Sequence, residues 1–290
     1  MTATRHATVP SRQITTRRIS FEYPAGTLPR HFADDLVMCH VVAMLSAMFP
    51  NGEDFFVRSV RNYRDQVSDP ELKKQVAKFI GQEAIHGREH REFNDRLQEL
   101  GYPTRYVDRA VDVVLNRVGV RILPKTVQLA ITAALEHYTA SLAETLMSDE
   151  ELRNQLVADE VRNLFLWHAL EESEHKSVAF DVYQSVCGNN LLRRLVMDAV
   201  TALFLFGIVD STVRSLRRDP AARDRRELRE SLRRLRRSPL IGPEMRRRIR
   251  DYNRNDFHPE DHDSDALLEF WRDQLFGASG RLNDRLARTA

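Results

Sequence analysis

If residues 167–176 are helical, His168, Glu171, Glu172 and His175 fall within about a 100° arc of one face, while Glu174 points away. Carboxylate and imidazole donors grouped in this way form a metal-binding face. Residues 79–90 repeat the idea: Glu83, His86 and His90 share a face and Glu89 does not. Each stretch contains Glu-x-x-His. A single glutamate precedes each one, Glu53 by 30 positions before Glu83 and Glu136 by 36 before Glu172. The chain thus reads as two matching halves, each a helix with one glutamate followed by a helix with Glu-x-x-His. This predicts near two-fold symmetry at the site.

Glu53, Glu83, His86, Glu136, Glu172 and His175 together make a dinuclear donor set, with two shared carboxylates and one imidazole per ion. Such donors suit Fe(II), Fe(III) or Mn(II), whereas structural zinc favours a closed four-ligand cage. Two irons can deliver two electrons to O2. His90 and His168 stand four residues beyond His86 and four before Glu172. They either donate to the metals directly or orient the ligating carboxylates. Glu171 competes with Glu172 or supports it. Taken singly, Glu53 would be an entry-turn glutamate complementing a helix dipole and His86 a hydrogen-bonded core histidine. The metal reading prevails because the donors lie on the apolar half of their helices, where charge without a partner or a cation is costly.

The elements that must position these residues are helices. No long alternating Val/Ile/Thr run occurs, and Gly and Pro total 22 residues. The first helix is expected over residues 31–48, and Phe49-Pro50-Asn51-Gly52 should break or kink it before helix resumes at Glu53. Ser68-Asp69-Pro70-Glu71 opens the next, which ends near Gly101. Residues 102–124 form a crossover with a helix around 107–117. A third core helix spans 125–148, with Glu136 among small neighbours and His137 turned off the stripe, and a fourth spans 158–185. The expected organisation is a mobile N-terminal tail over 1–28, a metal-binding bundle over 29–190 and a helical extension over 191–290.

Two stretches of the extension stand apart. Residues 191–209 are strongly apolar, yet Asp198 and Asp210 leave only eleven uncharged residues between them, short of the roughly 20 that cross a bilayer. A buried or substrate-lining helix is the default, with shallow membrane contact as the lesser alternative. Residues 214–250 hold fifteen Arg against five acidic residues. Leu228, Leu232 and Leu235 make this an outer amphipathic helix, and binding to anionic lipid, as peripheral membrane contact through 191–250, or to an acidic partner is the competing reading. The formal net charge of +2 and the lack of aromatics in the basic stretch argue against nucleic acid. His258, Asp261 and His262 are competent ligands for a second metal, although N-capping by Asp263 or Ser264 explains their segment as well. Cys39 and Cys187 are too few for a disulfide framework, and a reduced, cytoplasmic setting is expected.

The motifs Phe49-Pro50-x-Gly52-Glu53, Phe79-Ile80-Gly81-Gln82-Glu83-x-x-His86-Gly87-x-Glu89-His90, Trp167-His168-x-x-Glu171-Glu172-x-Glu174-His175-Lys176 and Phe257-His258-Pro259 carry a resemblance. Over residues 30–190 the chain resembles the ferritin-like di-iron carboxylate superfamily. More closely, and over most of its length, it resembles the bacterial family known as predicted metal-dependent hydrolases. The resemblance implies an all-α, ferritin-like helical bundle with added C-terminal helices, and Glu53, Glu83, His86, Glu136, Glu172 and His175 as ligands. The leading expectation is a di-iron oxidase or oxygenase that uses O2 on a small organic substrate, fed by an electron-donor protein. A hydrolase with metal-activated water comes second, and a non-enzymatic iron-handling protein third. Two Fe ions are the expected cofactor, with Mn or Zn as alternatives. Oligomeric state has no signature in the sequence.

Overall fold

The computed structural model of this chain describes residues 13–287, so the expectation for residues 1–12 of the tail lies outside it. Among the described residues every regular element is a helix, apart from one isolated antiparallel bridge between Ile19 and Leu286. Helix α1 spans Leu36–Arg61, α2 Pro70–Glu99 and α3 Thr104–Val111. The last runs into π-helical turns at Asp112–Gly119 and a short turn at Val120–Ile122, completing the crossover. Then follow α4 (Lys125–Ser148), α5 (Glu150–Gln155), α6 (Asp159–His175) and α7 (Val178–Val186). The C-terminal third supplies α8 (Asn190–Leu216), α9 (Arg225–Arg237), α10 (Pro243–Asp251) and α11 (Asp265–Phe276).

Helices α1, α2, α4 and α6–α7 close into a four-helix ring: α1 packs on α2 and α4, and α6–α7 packs on both α4 and α2. Each helix is apolar at both ends of its buried stripe and polar in the middle. One apolar layer contains Met44, Phe93, Ala143 and Trp167; the other contains Phe56, Phe79, Ala133 and Val178. Glu53, Glu83, Glu136 and Glu172 fall between these layers along all four helices. Apolar burial above and below, worth roughly 1.5–3 kcal/mol for each large side chain, offsets the cost of this charged layer.

Helix α1 does not break at Pro50. It begins at Leu36, where the Asp35 side chain accepts from Met38 N, and continues unbroken to Arg61. Proline at 50 cannot donate to the carbonyl of Ser46, four residues back. Asn94 Nδ2 from α2 donates to that carbonyl instead, at 2.9 Å. The helix therefore survives through a long-range repair that local propensity does not reveal. The fourth helix shows the opposite departure: it is interrupted between α6 and α7 at Lys176 and Ser177, where Lys176 Nζ donates to Glu144, to Ser264 Oγ and to the carbonyl of His262.

Residues 13–28 are not a loose tail. Ile14, Ile19, Phe21 and Leu28 are buried, and Phe21 N donates to Glu89 Oε2 at 2.7 Å. The strap's apolar side chains enter the two core layers, and its end is pinned by backbone bonds from Ser20 N to Arg285 O and from Ala287 N to Arg18 O.

Helix α8 corrects another expectation. It touches α1 and α4 along one side, but Leu203, Phe206 and Val209 are 66%, 70% and 60% exposed, so it is neither buried nor lining the pocket described below. Both α1 and α8 are long and apolar enough to cross a membrane, but α1 is a core helix with 72% of its apolar window buried, against 22% for α8. The basic stretch divides into the end of α8, α9 and α10 rather than forming one helix. Leu228 and Leu235 dock α9 near Leu36 and Val37, Leu232 faces solvent, and Ser231 Oγ donates to Asp35.

Candidate metal centre

The four-helix ring brings Glu53, Glu83, His86, Glu136, His168, Glu172 and His175 into one cage between its apolar layers, every one of them buried. Three overlapping groups have donor atoms close enough to share an ion: Glu53, His86 and His168; Glu83, His86 and Glu172; and Glu83, Glu136 and His175. Glu83 belongs to two of these groups. His86 Nδ1 lies 3.5 Å from both Glu83 Oε1 and Glu172 Oε1. His175 Nε2 lies 3.2 Å from Glu83 and 3.4 Å from each of Glu136 and Glu172. His168 Nε2 is 3.0 Å from Glu172 Oε1 and 3.7 Å from Glu53 Oε1.

The surrounding hydrogen bonds aim the imidazole nitrogens. His86 Nε2 is 3.1 Å from Glu171 Oε2, so this nitrogen donates to Glu171 and Nδ1 is the one turned to the cage. Glu171 is in turn held by Arg17 Nη1 at 3.0 Å. His175 Nδ1 donates to Gln82 Oε1 at 2.9 Å. That orientation of the amide is set by its Nε2, which donates to Glu174 and to the carbonyl of Thr15. Glu174 points away from the cage but is buried, paired with Arg17 and Arg272. Trp167 packs edge-on against His86, and Phe79 against His175.

His90 stands one bond behind the cage. Its Nε2 is 2.7 Å from His168 Nδ1 and its Nδ1 is 2.8 Å from Ser46 Oγ, which donates to Asn94 Oδ1 at 2.7 Å. Both nitrogens of His90 are thus engaged away from the carboxylates. It orients His168, a role that departs from both of those suggested by its spacing, a direct metal donor or a support for a ligating carboxylate. His137 also lies outside, with Nε2 bonded to the carbonyl of Arg248.

Whether this cage fits metal ions is tested by its oxygens. Among the described residues, neither carboxylate oxygen of Glu53, Glu83 or Glu136 has a hydrogen-bond partner, nor does Glu172 Oε2. Buried carboxylates crowded together without donors must be either protonated or gathered around cations. Burial pushes Glu53 well above the ordinary carboxylate range, with repulsion from Glu83 adding to it. Burial and Glu172 raise Glu83, and burial with Glu83 and Glu172 lifts Glu136 to about 8. Burial pulls Glu172 upward too, but His175, His168 and His86 outweigh it and hold that carboxylate well below its usual range. Burial would lower His86 and His175, yet their glutamate neighbours keep both well above the ordinary imidazole value. His168 is lowered to about 4 by burial and by His86. Oxygen donors without hydrogen bonds and aimed imidazoles fit a cation cage.

Gly87 makes room for it. A Cβ there would come within 3.2 Å of Glu53 Oε2 and 3.3 Å of Arg91 Nη1. An apolar pocket reaches the cage at Glu172 and His168. Its walls are a stripe of α1 (Met38, Val42, Leu45, Phe49), a stripe of α4 (Thr139, Leu142, Ala143, Leu146) and residues Leu152, Leu156, Phe165, Ala169 and Leu240.

Other ligand candidates go elsewhere. His258 Nε2 bonds Asp181, its Nδ1 accepts from Glu260 N, and His262 Nε2 bonds Asp251, so His258, Asp261 and His262 do not converge. His31, His40 and Asp219 do converge, near Arg30. The sequence reading passed over that trio, as it did Arg17, Gln82, Ser46 and Asn94. These residues lie off the Glu/His pattern and acquire meaning only through contacts with it.

Comparison with known proteins adds a family. The model of a family described as predicted metal-dependent hydrolase matches residues 15–263. That description agrees with the water-activating reading, placed second above, better than with the oxidase reading. No curated protein and no solved structure matches the chain.

Proposed function

The chain belongs to the family of predicted metal-dependent hydrolases, and from that premise we propose that its buried cage holds two metal ions and is the catalytic centre. One ion would be held by Glu53, Glu83, His86, His168 and Glu172, the other by Glu83, Glu136, Glu172 and His175. The observation that carries this reading is the set of buried carboxylate oxygens without a hydrogen-bond donor. The bundle over residues 29–190 is then of ferritin-like type, in which Glu and Glu-x-x-His half-sites from paired helices hold two ions, and residues 191–290 are an extension packed on it. Four carboxylates with imidazoles and no thiolate suit iron, with manganese as the alternative.

We read the reaction as O2-dependent oxidation of a small apolar molecule. When bound, a reduced pair of such ions supplies electrons to O2. The residues of the chain do the rest: Glu171 and Gln82 hold His86 and His175 in their ligating tautomers, and the apolar walls exclude water. His168 connects through His90 to Ser46, a hydrogen-bonded path along which a proton can be held away from the carboxylates. The electrons for this chemistry would come from a separate electron-donor protein. Hydrolysis by metal-activated water is the second reading, and the family description favours it. Against it stands the pocket wall, where Thr139 is the one polar side chain outside the cage and its hydroxyl already donates to the carbonyl of Glu136.

One experiment separates them. Anaerobic Fe(II)-loaded protein is exposed to O2 with apolar small molecules, and Zn(II)-loaded protein is assayed under nitrogen with aliphatic esters. Two irons per chain and O2 uptake support oxidation. Fe(II) that stays unoxidised in air, together with ester cleavage by the Zn(II) form, replaces it with hydrolysis. Failure to bind either ion removes both readings.

A further inference from the structure

We propose that the pocket beside the cage binds an unbranched aliphatic chain, of an alkyl or acyl compound, with the reacting carbon at its inner end next to Glu172 and His168. The inference rests on the catalytic reading above and gives it a substrate class. Its basis is the pocket's shape and chemistry together. On α1 the lining residues, from Met38 to Phe49, follow one another at steps of four, three and four, and on α4, from Thr139 to Leu146, at steps of three, one and three. Each set is one helix stripe, and α1 packs on α4. Two such stripes frame a groove along the helix axes, whose α1 wall extends about 16 Å by helix rise beside a cavity of about 80 Å³. Its inner end is fixed by sequence: Phe49 lies one turn before Glu53, and Thr139 one turn after Glu136.

Along that length little is offered to a polar ligand. Thr139, His168 and Glu172 are the polar groups of the lining. The Thr139 hydroxyl donates to the carbonyl of Glu136 within its own helix. His168 and Glu172 belong to the cage. A sugar, nucleotide or amino acid would lose its hydration without replacement there, while each methylene buried against the leucines strengthens binding about fourfold. A narrow aliphatic channel leading to a cage of carboxylates therefore selects a chain, with the atom to be transformed at its inner end.

The test uses the straight-chain series 1-hexanol, 1-octanol and 1-decanol, titrated calorimetrically into the full chain in metal-free and metal-loaded forms. The expected result is one site per chain, with affinity rising about fourfold per methylene. Ala143→Phe, which fills the channel, should weaken 1-decanol at least tenfold. Leu146→Ser, at the outer end, guards against a misfolded first variant and should weaken it severalfold. Phe206→Ser on the exposed face of α8 should leave it unchanged. Affinity indifferent to chain length, or loss on Phe206→Ser with none on Ala143→Phe and Leu146→Ser, overturns the proposal. Because the metal-free form is included, the two readings fail separately: no metal uptake with an intact alcohol series sinks the catalytic reading, and a flat series with normal metal uptake sinks the channel.

Discussion

Loading the cage with metal must expel protons, and the number can be worked out from Glu136. Its carboxyl is pushed up to about 8, first by burial and then by Glu83 and Glu172. At pH 7 such a group is about 0.9 protonated, yet it must be a carboxylate to ligate. Metal binding at pH 7 therefore releases about 0.9 proton from this residue alone, falling to about half a proton at pH 8. Glu53 and Glu83 are shifted in the same direction, and His86 and His175 must also shed a proton to present a lone pair, so the total exceeds one. Glu172, held low, contributes none. Affinity should rise by up to tenfold per pH unit for each proton released. The sign for stability follows. A folded-state pKa raised above its unfolded value stabilises the metal-free fold at low pH, and that contribution is lost as pH rises through about 8. Metal removes this alkaline weakness. The assay is Mn(II) titration by calorimetry in two buffers of different ionisation enthalpy, with Glu136→Gln as the comparison. Release of less than about half a proton at pH 7, or the same release from the variant, would refute the reasoning.

Three further outcomes are expected. Glu171→Ala removes the carboxylate that orients His86 Nε2 and Arg17→Ala the cation that holds it, and metal affinity should fall about 10–100-fold in chelator competition; Arg17→Ala also unpairs buried carboxylates and should lower the melting temperature of the metal-free protein. Gly87→Ala should displace Glu53 and lower the metal stoichiometry measured by elemental analysis, whereas Gly52→Ala, whose Cβ would meet nothing within 4 Å, should not; equal effects would mean that the crowding is relieved elsewhere. Asn94→Leu leaves the Ser46 carbonyl without its donor and should cost about 1–3 kcal/mol in urea unfolding, part of which Pro50→Ala in the same background restores by supplying the missing backbone N–H; no recovery would disconnect Asn94 from the proline.

The cage was legible because its information is local and periodic. Glu-x-x-His on an apolar helical stripe puts donors inward whatever surrounds the helix, so Glu83, His86, Glu172 and His175 could be read directly and Glu53 and Glu136 by symmetry. What surrounds them was not legible, because it arrives from far along the chain. Arg17 reads as one of several tail cations until Ile19 and Phe21 are seen to bury the strap beside it. Pro50 reads as a helix breaker until Asn94 supplies the bond it lacks. His90 had two roles open by spacing, and the contact with Ser46 decides its position. Residues 191–209 misled for a related reason: an apolar run predicts burial only if a partner element covers it, and among the described residues nothing covers Leu203, Phe206 and Val209.

The strap has a consequence for how the molecule is made. Arg17, which steadies Glu171, sits beside a segment fastened by Ile19 to Leu286 and by Arg18 and Ser20 to Ala287 and Arg285. The partners of each pair stand far apart in the chain, so a ribosome delivers the second only on the order of tens of seconds after the first. Until then the four-helix ring can assemble, but the clasp that holds the strap over Glu171 is unfinished. The clasp therefore closes only once residues 285–287 have been made, and changes near Leu286 are expected to reach His86 through the strap although the two do not touch.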